Sequence, residues 1–396
     1  MENNPVDFYN YTIIGSGASG LWMAYSLYKH GLLADKTLMI VEQDEHKGND
    51  RTWCYWSKDE LEPEGLADKS WTYSENNFRD NKSIFPYTYY HIRSESFYKK
   101  IKTELSSCKS ISWLFTTFQS FQKAEYVSVI TKSSTWKTDK LFLSSLSKDE
   151  NPLTSEVLNA YLNNQETQHI FLWQSFVGWR VKTEKPVFDA KKMTMMNFRI
   201  PQSKYIQFLY ELPFTSHEAL VEVTRFGDAK FTAEEVKPIL EHYLNLKHTK
   251  FEVEETEIGA IPMTTRFNIK RKYLNKNESV IFLGTLGGAI KPTTGYGFKK
   301  MAQYADKLAF AIANQLPLPT QYRRWRFRLY DILLLQILNS EAYRGKEIFE
   351  TLFKTQPTPK ILKFLDEEST LWEELSIFSK LPIFLFLKSL GRYIFK

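Results

Sequence analysis

Two cysteines, Cys54 and Cys108, are all that the 396 residues contain. A disulfide framework is thereby excluded, and a reducing compartment is expected. The seven histidines are scattered; His242 and His248, six apart, miss the common zinc spacings, so metal catalysis is not expected. No uninterrupted apolar stretch reaches the ~18–20 residues that a spanning helix needs. The opening Met-Glu-Asn-Asn-Pro lacks the charged and apolar regions of a secretory leader, and a cytoplasmic protein is expected. Charge of one sign is lacking too: 52 basic residues face 46 acidic ones, a net +6. Without an arginine-rich arm or a basic patch interleaved with stacking aromatics, nucleic acid is not an expected partner. Internal repeats and low-complexity tracts are also missing.

What is there begins with aromatics, 15% of the chain, as 29 Phe, 22 Tyr and 10 Trp. That density suits a large apolar pocket with π faces in its walls, or a core that uses Phe where others use Leu. The length calls for two or three packed units. The most informative stretch is Thr12-Ile-Ile-Gly-Ser-Gly-Ala-Ser-Gly-Leu21. An apolar run ends in Gly15, Gly17 and Gly20; Ala18 and an amphipathic segment to Leu33 follow; a second apolar run, Thr37–Val41, ends in Glu42. Strand, tight turn, helix, strand and acid stand in the order of a dinucleotide site. Gly15 allows the turn, Gly17 lets the backbone approach a pyrophosphate, and Gly20 brings helix and strand together. The helix N-terminus offers amides to phosphate, and Glu42 can accept from a ribose diol. A nicotinamide cofactor and FAD both fit this unit.

Farther on, Ser94 to Leu105 reads as a helix, and Ile111–Phe118, Tyr126–Thr131 and Lys140–Leu143 as a small β meander on the nucleotide sheet. Lys148 to Gln168 reads as a loop or a surface helix. From Ile170 the period becomes two: Ile170–Val177, Met193–Ile200, Tyr205–Glu211 and Ala219–Phe226 predict a mostly antiparallel sheet. Thr232 is placed to cap a helix to Leu246, with Glu234 and Glu235 behind it. Ser279–Gly284 is a strand leading into a second glycine turn (Gly284, Gly287, Gly288, Gly295) and a helix to about Asn314; the remainder reads as helices. A late strand-turn-helix unit suits a two-domain flavoprotein better than a nicotinamide dehydrogenase, unless it is only a hinge loop between packed elements.

Six segments in order resemble the FAD-containing lycopene β-cyclases of bacteria and plants, over about residues 10–390. Asn49-Asp-Arg-Thr-Trp-Cys-Tyr-Trp56 is similar to the family's Asn-His-Thr-Trp-(Cys/Ser)-Phe, and Gln174-Ser-Phe-Val-Gly-Trp179 to its Gln-His-Phe-x-Gly-Trp. Met196-Asn-Phe-Arg-Ile-Pro-Gln202 resembles Met-Asp-Phe-Arg-Val-x-Gln. Phe208–Pro213 with Ala219–Thr224 looks like the central signature; Ile258–Thr264 and Gly287–Tyr296 complete the set, with Lys-Pro-Thr-Thr-Gly-Tyr the most specific. Asn197, Ser175 and Val223 depart from the usual Asp, His and second acid, and Lys140–Leu143 lacks the usual Asp-Ala-Arg ending.

The resemblance implies an α/β fold: a Rossmann-type FAD-binding domain (1–168 and 276–320), a mixed or antiparallel substrate sheet (169–275) and a C-terminal helical region (321–396). It implies a redox-neutral isomerisation in which a proton adds to the terminal double bond of lycopene or a related acyclic carotenoid. A neighbouring double bond attacks the cation, and loss of a proton leaves a β-ring. The matched acid is Glu222. Flanked by Val221 and Val223, it faces away from them, toward either an apolar cavity or solvent; in a cavity desolvation keeps a carboxyl protonated. Implied cofactor contacts are Gly15, Gly17, Ala18, Gly20, Glu42, Arg51, Gly284, Gly287, Gly288, Lys291, Thr293, Thr294 and Gly295. Implied pocket residues are Trp53, Trp179, Arg199, Tyr210 and Tyr296, with Trp56, Trp173 and Tyr205 as further aromatic candidates. Reduced FAD is the implied cofactor, with NADPH as its reductant. A bilayer-dissolved substrate implies peripheral contact with a membrane lipid surface. Leu381-Pro-Ile-Phe-Leu-Phe-Leu387 with Lys388, Arg392 and Lys396 suits an interfacial helix, or one docked on the body. The rival activity is an FAD-dependent oxidoreductase of hydroxylase or prenyl-reductase type, and the rival class a silent carotenoid- or flavin-binding protein. The oxidoreductases usually carry Gly-Asp in the late turn, where Thr285 follows Gly284.

Overall fold

The computed structural model describes residues 8–76, 79–145, 170–202, 204–265, 279–319 and 324–395. The expected segment at 148–168 lies outside them. A first sheet runs Ile111–Phe115, Leu38–Glu42, Phe8–Ile14, Thr135–Leu143, Val127–Thr131, Phe118–Lys123, with Val280–Phe282 added parallel to Thr135–Leu143. The expected meander is therefore only partly one. Ile111–Phe115 pairs parallel to Leu38–Glu42, and Thr135–Leu143 pairs parallel to Phe8–Ile14. Leu141, Phe142 and Leu143 are all fully buried, as a central strand covered on both faces requires. The Ala18–Lys29 helix lies on this sheet beside the helices Ser94–Leu105 and Phe298–Ala313, around Leu21, Leu27, Phe97 and Leu308.

A second sheet has the order Phe251–Met263, Leu172–Thr183, Glu218–Gly227, Ile206–Pro213, Lys192–Asn197, Tyr73–Asn76, Arg79–Ser83. It is antiparallel apart from the parallel pair of Lys192–Asn197 with Tyr73–Asn76. A small sheet of Thr52–Ser57, Thr88–Arg93 and Lys69–Trp71 joins the two. The Ala233–Asn245 helix starts as expected. Thr232 accepts from the Glu235 amide while the Glu235 carboxylate accepts from the Thr232 amide. Its stripe Val236, Leu240 and Leu244 packs on Val177, Val221 and Val223, one face of the second sheet. The other face carries Phe208 and Phe226 against Leu335, Leu338 and Phe349 of the C-terminal helices.

Candidate active site

The first glycine turn opens one cavity of about 460 Å³, lined by Gly15, Gly17, Ala18, Glu42, Arg51 and Trp53 among others. A Cβ on Gly20 would stand 1.9 Å from the Gly15 carbonyl oxygen, so only glycine lets this helix sit so near its strand. A Cβ on Gly17 would meet nothing within 4 Å except the cavity. The helix begins at Gly17 with no side chain among the described residues bonded to its first amides, which leaves them for a phosphate. Glu42 is buried and accepts from the Ser16 amide at 2.7 Å and from Lys47 at 2.5 Å. Burial opposes its charge, but Lys47 and the amides of Ser16 and Asp44 hold the carboxyl below its ordinary value. At Gly284, φ is +57° and a Cβ would lie 2.5 Å from Ser19 Oγ. The late turn thus closes onto the start of the first helix, with Thr285 in the cavity wall.

Trp53 also lines a second cavity, of about 130 Å³, and stacks on Phe298 at 5.0 Å between centroids. Glu222 and Glu257 face this space among Tyr210, Tyr296, Phe176 and Leu220. The register explains how they meet. Glu222 lies opposite Tyr210 on one side and Gly178 on the other, and Gly178 lies opposite Glu257. Val221 and Val223, fully buried, take the opposite face under the Ala233–Asn245 helix. The surface that Glu222 retains is in the cavity wall. Desolvation first, and then the Glu257 charge, push its carboxyl up to about 8, against a 2.9 Å hydrogen bond donated by Thr224 Oγ1. Burial raises Glu257 as well, against a hydrogen bond with Thr52. Tyr89 and Tyr296 share a hydrogen bond of 2.9 Å at the same cavity, and burial keeps both phenols protonated. Gln174 Oε1, Thr294 Oγ1 and Glu257 Oε1 are buried there without a hydrogen-bond partner among the described residues. Gln174 and Thr294, the two beside the Gly295 turn, are what a flat, polar-edged cofactor ring would satisfy.

The model of the family described as lycopene cyclase protein matches residues 11–390. The chain belongs to that family. A lycopene β-cyclase of Pseudescherichia vulneris is 22% identical over 389 residues, 93% of each chain. One from Paracoccus sp. (strain N81106 / MBIC 01143) is 25% identical over 189 residues, so that match spans about half of each chain, 46% here and 48% there. Among solved structures, a flavoprotein/dehydrogenase from Cytophaga hutchinsonii superposes with a TM-score of 0.56 at 11% identity, covering 97% of this chain and all of that one. That likeness gives the fold: mixed α/β, as in flavoproteins. The lycopene cyclase family makes the protein an enzyme of that kind.

Most of the residues singled out in this lycopene cyclase sequence converge. Gly15, Gly17, Ala18, Glu42 and Arg51 line the first cavity, and Glu222, Tyr210, Tyr296, Thr294 and Gly295 the second, with Trp53 in both. Gly295 has φ +75° and no room for a Cβ, which would lie 2.6 Å from Gln174 Oε1. Gly287 and Gly288 stay inside the late turn, their amides donating to Leu283 and Thr285 carbonyls. Lys291 and Thr293 depart from expectation: the ammonium donates to Asp331 at 2.9 Å and Glu367 at 3.3 Å, and Thr293 Oγ1 to Asp331 at 2.7 Å. Their side chains hold the C-terminal helices to the late turn. Trp179 departs too, because Gly178 takes the cavity side and sends Trp179 under the Ala233–Asn245 helix. Arg199 is exposed between buried Phe198 and Ile200, outside the cavity. Of the other aromatics, Trp56 donates to the Leu362 carbonyl, while Trp173 and Tyr205 carry Lys230 and Arg225 cations. Val223, where relatives tend to have a second acid, points away from Glu222's cavity.

Glu257 was not foreseen. It sits in Glu252-Val-Glu-Glu-Thr-Glu257, a run of acids that reads as a solvated face. The available signal was its place just before the Ile258–Thr264 motif.

Proposed function

We propose that the protein is a lycopene β-cyclase, closing the ψ-ends of lycopene or a related acyclic carotenoid into β-rings with reduced FAD. The observation that carries this reading is Glu222: a carboxyl held protonated by desolvation, facing an aromatic and aliphatic cavity next to the dinucleotide cleft. Its O–H supplies the proton, and a terminal alkene carbon receives it. The walls exclude water that would trap the tertiary cation, and the faces of Tyr210, Tyr296 and Trp53 stabilise it. The FAD would be held between the 1–168 and 276–320 parts of the chain by the first-cavity residues, with Thr294 and Gln174 at its ring end. When bound and reduced it supplies negative charge beside the cation without net oxidation of substrate. NADPH is then needed to prime the enzyme and not once per ring. Expression in lycopene-accumulating cells, with pigment analysis, tests the reading; β-carotene is the expected product. NADPH oxidation in step with product would favour an FAD-dependent oxidoreductase.

The pH profile follows from the acid. Glu222 must carry its proton to act, so the rate should be flat on the acid side of about 8. Above that value it should fall by about tenfold per unit as the carboxylate ionises. Initial rates of ring formation on reduced enzyme read this directly; a rate that rises through the same range contradicts an acid role.

The substrate dissolves in bilayers, and we place the approach at the C-terminal helices, making the protein a peripheral one on the cytoplasmic side of a membrane. No helix among the described residues is long and apolar enough to cross. The Ile383–Ile394 helix docks through Leu385 and Ser389 and turns Ile383, Phe384 and Leu387 outward. The Leu371–Phe378 helix adds Leu371, Trp372 and Leu375, with Trp372 and Phe384 more than 80% exposed. Trp372→Glu with Phe384→Glu should cut flotation with anionic liposomes at least about tenfold. Unchanged flotation would remove this face from the proposal.

A further inference from the structure

Glu257 stands at a wall between two spaces. On one side is the cavity that Glu222 faces; on the other is a polar pocket of about 20 Å³, lined by Asn49, His91, Arg93, Arg180 and Glu255. Among the described residues only Thr52, Leu220 and Glu257 line both, and Glu257 alone of these can ionise. The row Tyr210–Glu222–Gly178–Glu257 crosses four strands on one face. Adjacent strands are ~4.8 Å apart, so the two acid-bearing backbones are roughly 10 Å apart, and the Glu257 side chain leans over Gly178 between them. Gly178 keeps that gap open: a Cβ there would meet Glu257 Cγ and Leu220 Cδ1, each at 3.1 Å. Glu257 Oε1, buried, has no partner among the described residues. On the polar side Asn49 donates to Glu255 at 2.6 Å and Arg93 to its other oxygen at 3.2 Å, all three partly exposed. The polar pocket has room for one water.

We propose that Glu257 returns a proton to Glu222 after each ring closure, linking the dry cavity to solvent through the Asn49–Arg93–Glu255 pocket. This rests on the acid role given to Glu222 above. The cycle balances. The Glu222 O–H breaks as a C–H bond forms on the substrate, and the closed ring later gives up one proton, as its double bond forms, to a water at the polar Gln174–Thr294 end of the cavity, away from the apolar walls. The Glu257 O–H then breaks as the Glu222 O–H is remade. Hydronium in the polar pocket recharges Glu257, so one proton leaves to water, one enters from it, and nothing is oxidised. Glu222 touches the reacting carbon; Glu257 acts through Glu222. Burial, with the Glu255 charge, holds Glu257 toward its protonated form, while Thr52, Arg93 and Arg180 oppose this, so the group keeps a proton ready and can still give it up to the Glu222 carboxylate.

The test uses flavin-loaded, prereduced enzyme with lycopene in liposomes, comparing the first turnover with the steady state. Glu257→Gln should retain its flavin and complete the first ring within about twofold of the wild-type rate, then turn over at least tenfold more slowly. Glu257→Asp should recover part of the steady-state rate. Steady-state turnover of Glu257→Gln within twofold of wild type would overturn the proposal. So would loss of the first turnover with flavin still bound, which would make Glu257 part of the ring-closing step itself. Should Glu257→Gln fail to hold flavin, the Glu257→Asp comparison decides: an undiminished first turnover with slowed cycling supports the relay, and equal slowing of both overturns it. If wild-type enzyme closes no ring, the cyclase reading fails and not this one alone.

Discussion

Glu222→Gln is expected to lower cyclised carotenoid by about 10²–10⁴-fold, the usual contribution of a positioned proton donor, with flavin content unchanged. The amide matches the carboxyl in shape, and Thr224 Oγ1 can still donate to its oxygen, so the cavity wall should hold. What disappears is a transferable proton. Among the described residues no other carboxyl opens directly onto the site except Glu257, and that group lies across the Gly178 gap from the position Glu222 occupies. The comparison is made on pigment extracts and on purified reduced enzyme, with flavin absorbance as the control. Cyclisation within a few-fold of wild type would remove Glu222 from the acid role and with it the chemistry proposed here.

The second large effect separates two glycines that the motif treats alike. Gly20→Ala puts a methyl 1.9 Å from the Gly15 carbonyl oxygen and 3.2 Å from Ile13 Cγ2. The nearer neighbour is backbone, and the Ile13 methyl belongs to a fully buried residue, so the helix must back away from its strand. Overpacking of this kind costs about 1–3 kcal/mol or more, and the turn that shapes the cavity is lost with it. Both melting temperature and flavin retention should fall. Gly17→Ala meets nothing within 4 Å and its φ of −77° is open to any residue. It should fold as well as wild type, yet its methyl occupies space that a pyrophosphate needs. Flavin affinity should drop by about 10–100-fold, some 1.4–2.7 kcal/mol. Calorimetry with flavin titration distinguishes the two; a Gly17→Ala protein that binds flavin normally would move the phosphates away from this turn.

Local signals were read well because their causes are local. The glycine turn, the Thr232 capping box and the alternation around Glu222 each depend on neighbours within a few residues. Alternation alone left Glu222 facing either water or a cavity; the small sheet (Trp53, Cys54, Tyr89) and the late turn (Gly295, Tyr296) over that face decide for the cavity. What needed pairing partners was missed. Trp179 belongs to a matched motif, but its direction is set by Gly178 being in register with Glu222 and Glu257. Lys291 lies in the most specific motif, yet its partners Asp331 and Glu367 are 40 and 76 residues on. Glu257 hides among surface acids because a strand with one wet edge shows the same composition as one that lends a single side chain to an interior.

The strands Tyr73–Asn76 and Arg79–Ser83 complete the edge of a sheet whose other members begin a hundred residues later. Neither half of this enzyme is thus a contiguous cassette. A chimaera that swaps in a relative's 169–275 stretch would import a sheet whose border still comes from the host. Recombination between relatives should succeed only where the crossover carries that early hairpin along with the strands it flanks.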